Sequence, residues 1–217
     1  MTYDAFTLNQ NLNPQKSLLI CDVDEVVLHF VAPFEDFLTS KKAQLKKQSF
    51  KLSGNIIDLT SGKPYSMEES GELIQEFHDI SVDQQDVVEG AVQGLKQLSA
   101  AYEIVFLTNV AATLTDRRRT HLASIGAPYP VLQNEGSKAQ MVHELSKDLT
   151  APIVFIDDLP PHHHAVKARE PRVNCIHFMA DATFRSIVSF DGEIAKKAES
   201  WSEIVDHCEA IAAFKPT

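Results

Sequence analysis

Apolar residues along this chain fall into short continuous runs that alternate with segments repeating every three or four positions. The first run, Ser17-Leu18-Leu19-Ile20-Cys21, meets Asp22-Val23-Asp24, two carboxylates spaced i, i+2. Ile104, Val105, Phe106 and Leu107 form a second run that meets Thr108-Asn109. Ile153, Val154, Phe155 and Ile156 form a third that meets Asp157-Asp158. Shorter pieces at 129–132 and 173–178 complete five predicted strands, the first extending as far as Asp24. Runs this apolar, with no polar alternation, are those of parallel strands buried on both faces.

Helical patterns separate the strands. Val88, Ala91, Val92, Leu95 and Leu98 keep one register behind Asp86-x-x-Glu89, which has the form of a capping box. Ser137-x-x-Gln140 predicts another start, with Val142 and Leu145 inside, and Ser200-x-x-Glu203 a third, with Trp201, Ile204, Val205, Cys208 and Ile211 packed. A polar, basic helix through Arg117-Arg118-Arg119 stops at Gly126, and one more covers residues 161–169. Strands alternating with helices predict an α/β fold, a Rossmann-like parallel sheet covered by helices on both faces.

Residues 31–82 break that rhythm. Phe34, Phe37 and Leu38 share one face of a helix that Pro33 can start, and the helix is expected to continue into the lysine-rich stretch 41–47. From Phe50 to Tyr65 come short extended pieces with Ser53-Gly54-Asn55 and Ser61-Gly62-Lys63-Pro64 as breakers. Ser66-x-x-Glu69 opens a second helix carrying Leu73, Ile74 and Phe77. The segment reads as a small, mainly helical cap insertion dividing a core made of residues 1–30 and 83–217. Residues 1–16, with Asn-Leu-Asn-Pro, read as a loosely packed lead-in.

Composition narrows the partners. A net charge of -10 argues against general affinity for nucleic acid or an anionic membrane. No apolar run approaches the roughly 20 residues that span a bilayer, and the start has no basic region followed by an apolar one. Cys21, Cys175 and Cys208 are odd in number, widely spaced and set in apolar segments, as reduced core thiols are. A cytoplasmic location is expected.

The chemistry sits where the apolar runs end. In an open α/β sheet the ligand crevice lies beyond the carboxyl ends of the strands, so Asp22, Asp24, Thr108, Asn109, Asp157 and Asp158 can converge there. Four carboxylates in one crevice call for a hard divalent cation, and oxygen-only ligation points to Mg2+ rather than zinc. Lys138, at the first turn of its helix, adds a charge that favours an anion. An aspartate nucleophile, a second acid, a hydroxyl, a lysine and a magnesium site together describe phosphoryl transfer through an aspartyl-phosphate.

Asp22-x-Asp24-x-Val26, a strand ending in Thr108, Lys138, and Asp157-Asp158 resemble, in order, the four motifs of the haloacid dehalogenase superfamily. The resemblance covers about residues 17–30 and 86–180. It implies that Asp22 attacks phosphorus and ligates Mg2+, and that Asp24 offers its backbone carbonyl to the metal and serves as acid, then base. It implies that Thr108 and the Asn109 backbone N–H hold the phosphoryl oxygens, and that Lys138 neutralises Asp22 and the phosphoryl group. Asp158 matches the direct metal ligand, with Asp157 acting directly or through a water. The dehalogenating branch lacks the second aspartate, so Asp24 favours phosphate ester chemistry. Glu25 departs from the pattern, because many members have glycine there.

The expected activity is hydrolysis of a small phosphorylated metabolite. A phosphomutase or phosphotransferase of the same superfamily, or a catalytically idle binding protein on this fold, remains the alternative. His162-His163-His164 point in different directions on a helix, so at most one or two could share a site, and contact with substrate is more expected than a transition-metal role. The three arginines at 117–119 read as a solvated face from which one could still reach a phosphate. Strand alternation turns Cys21 away from the nucleophile.

Overall fold

The computed structural model describes residues 5–13, 15–49, 51–52, 54–188 and 194–213. Pro14, Phe50 and Ser53, named above, lie outside them. Among the described residues six strands form one sheet: β1 Ser17–Cys21, β4 Tyr102–Thr108, β5 Val131–Gln133, β6 Ile153–Asp157, β7 Asn174–His177 and β8 Lys196–Lys197. Their spatial order is β5-β4-β1-β6-β7-β8, and every neighbouring pair is parallel. The run that ends before Asp22 is thus the central strand, flanked by the two other long apolar runs, with Ile20 beside Val105 on one side and Phe155 on the other.

Alternation along the strands sorts the core into two layers. Leu19, Cys21, Ile104, Phe106, Val154 and Ile156 face one side. There they meet α4 (Ala91–Leu98) and α9 (Trp201–Ala213) through Leu95, Trp201, Ile204 and Cys208. Leu18, Ile20, Val105, Leu107, Ile153 and Phe155 face the other, against α6 (Ala139–Ser146) and α7 (Pro160–Arg169). All three cysteines are free and buried, and Cys21 lies in the first of these layers. Gly94 lets α4 approach α9, since a Cβ there would stand 2.8 Å from the Trp201 ring.

Residues 31–81 build outside this sheet. α2 (Val31–Ser40) and α3 (Met67–Ser81) flank a two-stranded antiparallel ribbon of β2 (Ala43–Leu45) and β3 (Ile56–Asp58). Phe30 stacks on Phe34 at 5.1 Å between ring centroids, and Phe77 meets both edge-on at 5.3 Å. Ser66 caps α3 with the full reciprocal box to Glu69.

Several expectations are corrected. α2 ends at Ser40, and Lys42 turns with a positive φ of 55° into β2, so the lysine stretch is not helical. Asp86-x-x-Glu89 does not cap α4, which starts at Ala91 behind Gly90. Its backbone instead joins the loop that follows β1, with His29 N–H donating to the Asp86 carbonyl and Val88 N–H to that of Val27. The helix behind Ser137 starts at Ala139 with Lys138 as its uncapped N-cap. The first strand stops at Cys21, not Asp24. The lead-in is not loose: α1 (Ala5–Asn11) docks on α6, Asn9 Nδ2 donating to the carbonyls of Glu144 and Leu145. The short strand β8 and helix α8 (Ala182–Ile187) were not anticipated.

Candidate active site

The chain leaves β1 through a loop that is almost wholly buried. Val23, Val26, Val27 and Leu28 have no solvent exposure, and the Val23 carbonyl accepts from the N–H groups of Val26, Val27 and Leu28. Trp201 pins the loop from below, its indole N–H donating to the Val26 carbonyl at 2.9 Å. Asp22 and Asp24 are therefore presented by a rigid, packed turn. Parallel pairing continues at the first of them, where Asp22 N–H donates to the Ile156 carbonyl.

Lys138 is the hub. Its ammonium lies 2.6 Å from Asp22 Oδ1 and 2.8 Å from Asp157 Oδ2, with all three side chains shielded from solvent. Burial opposes its charge, but the two carboxylates outweigh this and raise its pKa. Asp22 also accepts from Val23 N–H at 2.7 Å. Burial, with Asp157 and Asp24 adding to it against Lys138, pushes the Asp22 carboxyl up to about 7. Burial pushes the same way at Asp157, but Lys138 prevails and its pKa falls. Asp158 is raised well above the carboxylate range by burial and by Asp157 and Asp22.

Oxygens of Asp22, Asp157 and Asp158 lie within 4.8 Å of one another. A hard, oxygen-only set that crowds three carboxylates, two of them buried, suits a divalent cation of the magnesium type. The Asp24 side chain is not in that group. It turns to Arg118, whose Nη2 donates to its two oxygens at 2.9 and 3.3 Å, and it accepts from Gln85 Nε2 at 2.9 Å. Burial would raise its pKa, but Arg118, His78 and Gln85 together bring it below the usual value.

Thr108 closes β4 with its hydroxyl accepting from Val110 N–H, and it is fully buried. Asn109 reaches the crevice with its side chain engaged, donating to the Gly136 carbonyl and accepting from Asn134. All the predicted residues thus gather at the carboxyl ends of β1, β4 and β6, with Lys138 arriving from the start of α6.

The sequence reading missed Arg118, Gln85 and the part played by Glu25. Arg118 is fully buried, so the arginine run is not a solvated face. Arg117 is not idle either, binding Asp83 through Nε and Nη2 and the Asp79 carbonyl through Nη1. Buried positions Thr115, Arg118 and Leu122 on α5 (Thr115–Ser124) are spaced i, i+3, i+7, and that spacing was the available signal. Glu25 keeps the left-handed backbone, φ 60°, that suits glycine. Its side chain accepts from Phe30, Val31 and Asp181 N–H, capping α2 and holding the segment before α8. Of the three histidines, His163 is buried and donates to the Asp157 carbonyl, while His162 lines the crevice.

The crevice is a chamber of about 810 Å³ between these strand ends and the 31–81 segment. Among the described residues no helix is long and apolar enough to cross a membrane.

No family model matches the chain, and neither does any curated protein sequence. Solved structures do. A haloacid dehalogenase-like protein from Agrobacterium tumefaciens matches with a TM-score of 0.61 at 16% identity, covering 90% of this chain and 98% of that one. A haloacid dehalogenase-like hydrolase from Streptococcus pneumoniae gives 0.60 at 10% identity, covering 89% and 98%. A structure described as a phosphoglycolate phosphatase, from Lactobacillus plantarum, gives 0.58 at 12% identity, covering 88% and 99%. The chain has the fold of the haloacid dehalogenase-like hydrolases.

Proposed function

We propose that this chain is a phosphohydrolase that takes the phosphoryl group of a small phosphorylated metabolite onto Asp22 and passes it to water. The observation that carries the reading is the Lys138 ammonium set between Asp22 and Asp157, 2.6 and 2.8 Å away, on a strand-end cluster of three carboxylates. A buried ammonium there offsets the charge of an attacking carboxylate and of the phosphoryl group it meets.

Asp22, Asp157 and Asp158 would hold Mg2+, with the Asp24 backbone carbonyl as a further oxygen. When bound, the ion supplies charge stabilisation to the phosphoryl oxygens and fixes the nucleophile. Thr108 and the Asn109 N–H would take phosphoryl oxygens. Asp24, held ionised by Arg118, is in the form that accepts a proton from water. Donating one to the leaving oxygen requires its carboxyl first to take up a proton from solvent as it turns from Arg118 into the chamber, which it already lines.

Residues 31–82 would act as a cap over a core made of 1–30 and 83–217. The cap covers the strand ends, and the chamber's size suits a small metabolite rather than a folded protein or a polynucleotide. Release of phosphate from para-nitrophenyl phosphate, dependent on Mg2+ and abolished by chelation, is the expected result. Full activity after exhaustive chelation would contradict it.

A further inference from the structure

The helix α3 carries two stripes. Ser70, Leu73 and Phe77 are buried, and Leu73 and Phe77 pack in the core of the 31–81 segment. Met67, Gly71, Ile74 and His78, spaced i, i+4, i+7 and i+11, line the chamber instead. The chamber stripe is apolar until its last member, and Met67 is 79% exposed. Phe30, Leu52, Met179 and Phe184 continue the apolar wall around it.

Gly71 has no packing reason to be glycine. It sits inside a 15-residue helix, where glycine is disfavoured, and a Cβ built on it would meet none of the described residues within 4 Å. What a larger side chain there would occupy is the chamber. His78 closes the stripe beside Asp24 with its ring largely buried, and among the described residues its Nδ1 has no hydrogen-bond partner. Of the neighbouring polar side chains, Gln75 is committed to Asp79 and Asn109 to Gly136 and Asn134, while Lys51 joins the wall at its edge beside Leu52.

We propose that the organic part of the substrate lies along Met67, Gly71 and Ile74, and that the enzyme acts on phosphate monoesters with an apolar, aromatic or branched body and one hydrogen-bonding group at His78. This deepens the phosphohydrolase reading and rests on it. A polyol would exchange many water contacts for a wall that offers few partners, whereas an apolar body loses nothing by leaving water. A site lined this way selects by shape and apolar contact, with His78 as its polar reader.

The test compares phenethyl phosphate with glycerol phosphate, both primary alkyl esters, on the wild-type enzyme with Mg2+ and on Gly71→Leu. The wild type should favour phenethyl phosphate in kcat/KM by at least about tenfold. Gly71→Leu should fold with unchanged or higher thermal stability and lower that ratio about tenfold through KM for the phenethyl ester. Should it fail to fold, Ile74→Gln is the second variant, with the same expected loss. A preference for glycerol phosphate, or a ratio that neither variant moves, overturns the assignment. Binding of phenethylphosphonate by calorimetry separates the two levels. Tight binding weakened by Gly71→Leu, in a protein that turns over no monoester, would keep the stripe and remove the hydrolase reading. No binding and no turnover would remove both.

Discussion

Arg118 Nη2 donates to both carboxylate oxygens of Asp24, at 2.9 and 3.3 Å, and Arg118 has no solvent exposure while the Asp24 side chain keeps 21%. The asymmetry decides what each substitution does. Among the described residues Arg118 finds no other carboxylate, and its Nε and Nη1 lack partners. Asp24→Asn therefore strands a buried guanidinium and should cost about 3 kcal/mol or more in unfolding free energy. Arg118→Met removes the buried charge and leaves Asp24 partly hydrated, so it should cost less than about 1.5 kcal/mol. Urea unfolding of the two single variants and the double variant checks this, the double resembling Arg118→Met. Equal costs for the two single variants would show that the pair is hydrated.

Glu25 sets a strained backbone against three hydrogen bonds. Its left-handed conformation costs about 1 kcal/mol relative to glycine. Its buried carboxylate accepts from Phe30, Val31 and Asp181 N–H, and hydrogen bonds to a charged group contribute about 1.5 to 3 kcal/mol each. The bonds win, so Glu25→Gly should destabilise the protein by about 2 kcal/mol or more. Chemical denaturation measures it, and a gain in stability would mean that the capping role is illusory.

The strand ends and the polar groups that gather there were legible because each sits where an apolar run stops, and buried parallel strands advertise themselves that way. The aromatic face of α2 and the capping box of α3 were legible for the same local reasons. What failed was set by tertiary placement. Asp86-x-x-Glu89 spells a cap, but its backbone groups are taken by the loop that follows β1. Arg118 looks like its neighbours until Asp24 stands opposite it. β8 is two exposed lysines, held only by pairing with β7, and carries no apolar signal.

Acid should weaken the fold through buried histidine. His177 donates from Nε2 to the Asp158 carbonyl and is pushed down to about 4, chiefly by burial and then by His163. In the unfolded chain the group titrates near 6.5, so between about 6.5 and 4 the unfolded state binds the extra proton. Stability is unaffected above that window and falls as pH drops through it, by at most roughly 3 kcal/mol for this residue. Denaturation midpoints measured from pH 8 to 4 should show a shallower loss in His177→Asn. The same slope in both proteins would assign the loss to other groups, such as His78, His162 and His163, which burial also pushes down.

Acid-quenched reaction with a labelled phosphate ester and Mg2+, followed by peptide mapping, tests the central claim most directly. The account predicts an acid-stable, hydroxylamine-labile phosphoryl group on the peptide carrying Asp22, absent from a folded Asp22→Asn protein whose turnover has dropped on the order of 10³-fold or more. Turnover without any such adduct, or near-normal activity in Asp22→Asn, would contradict it.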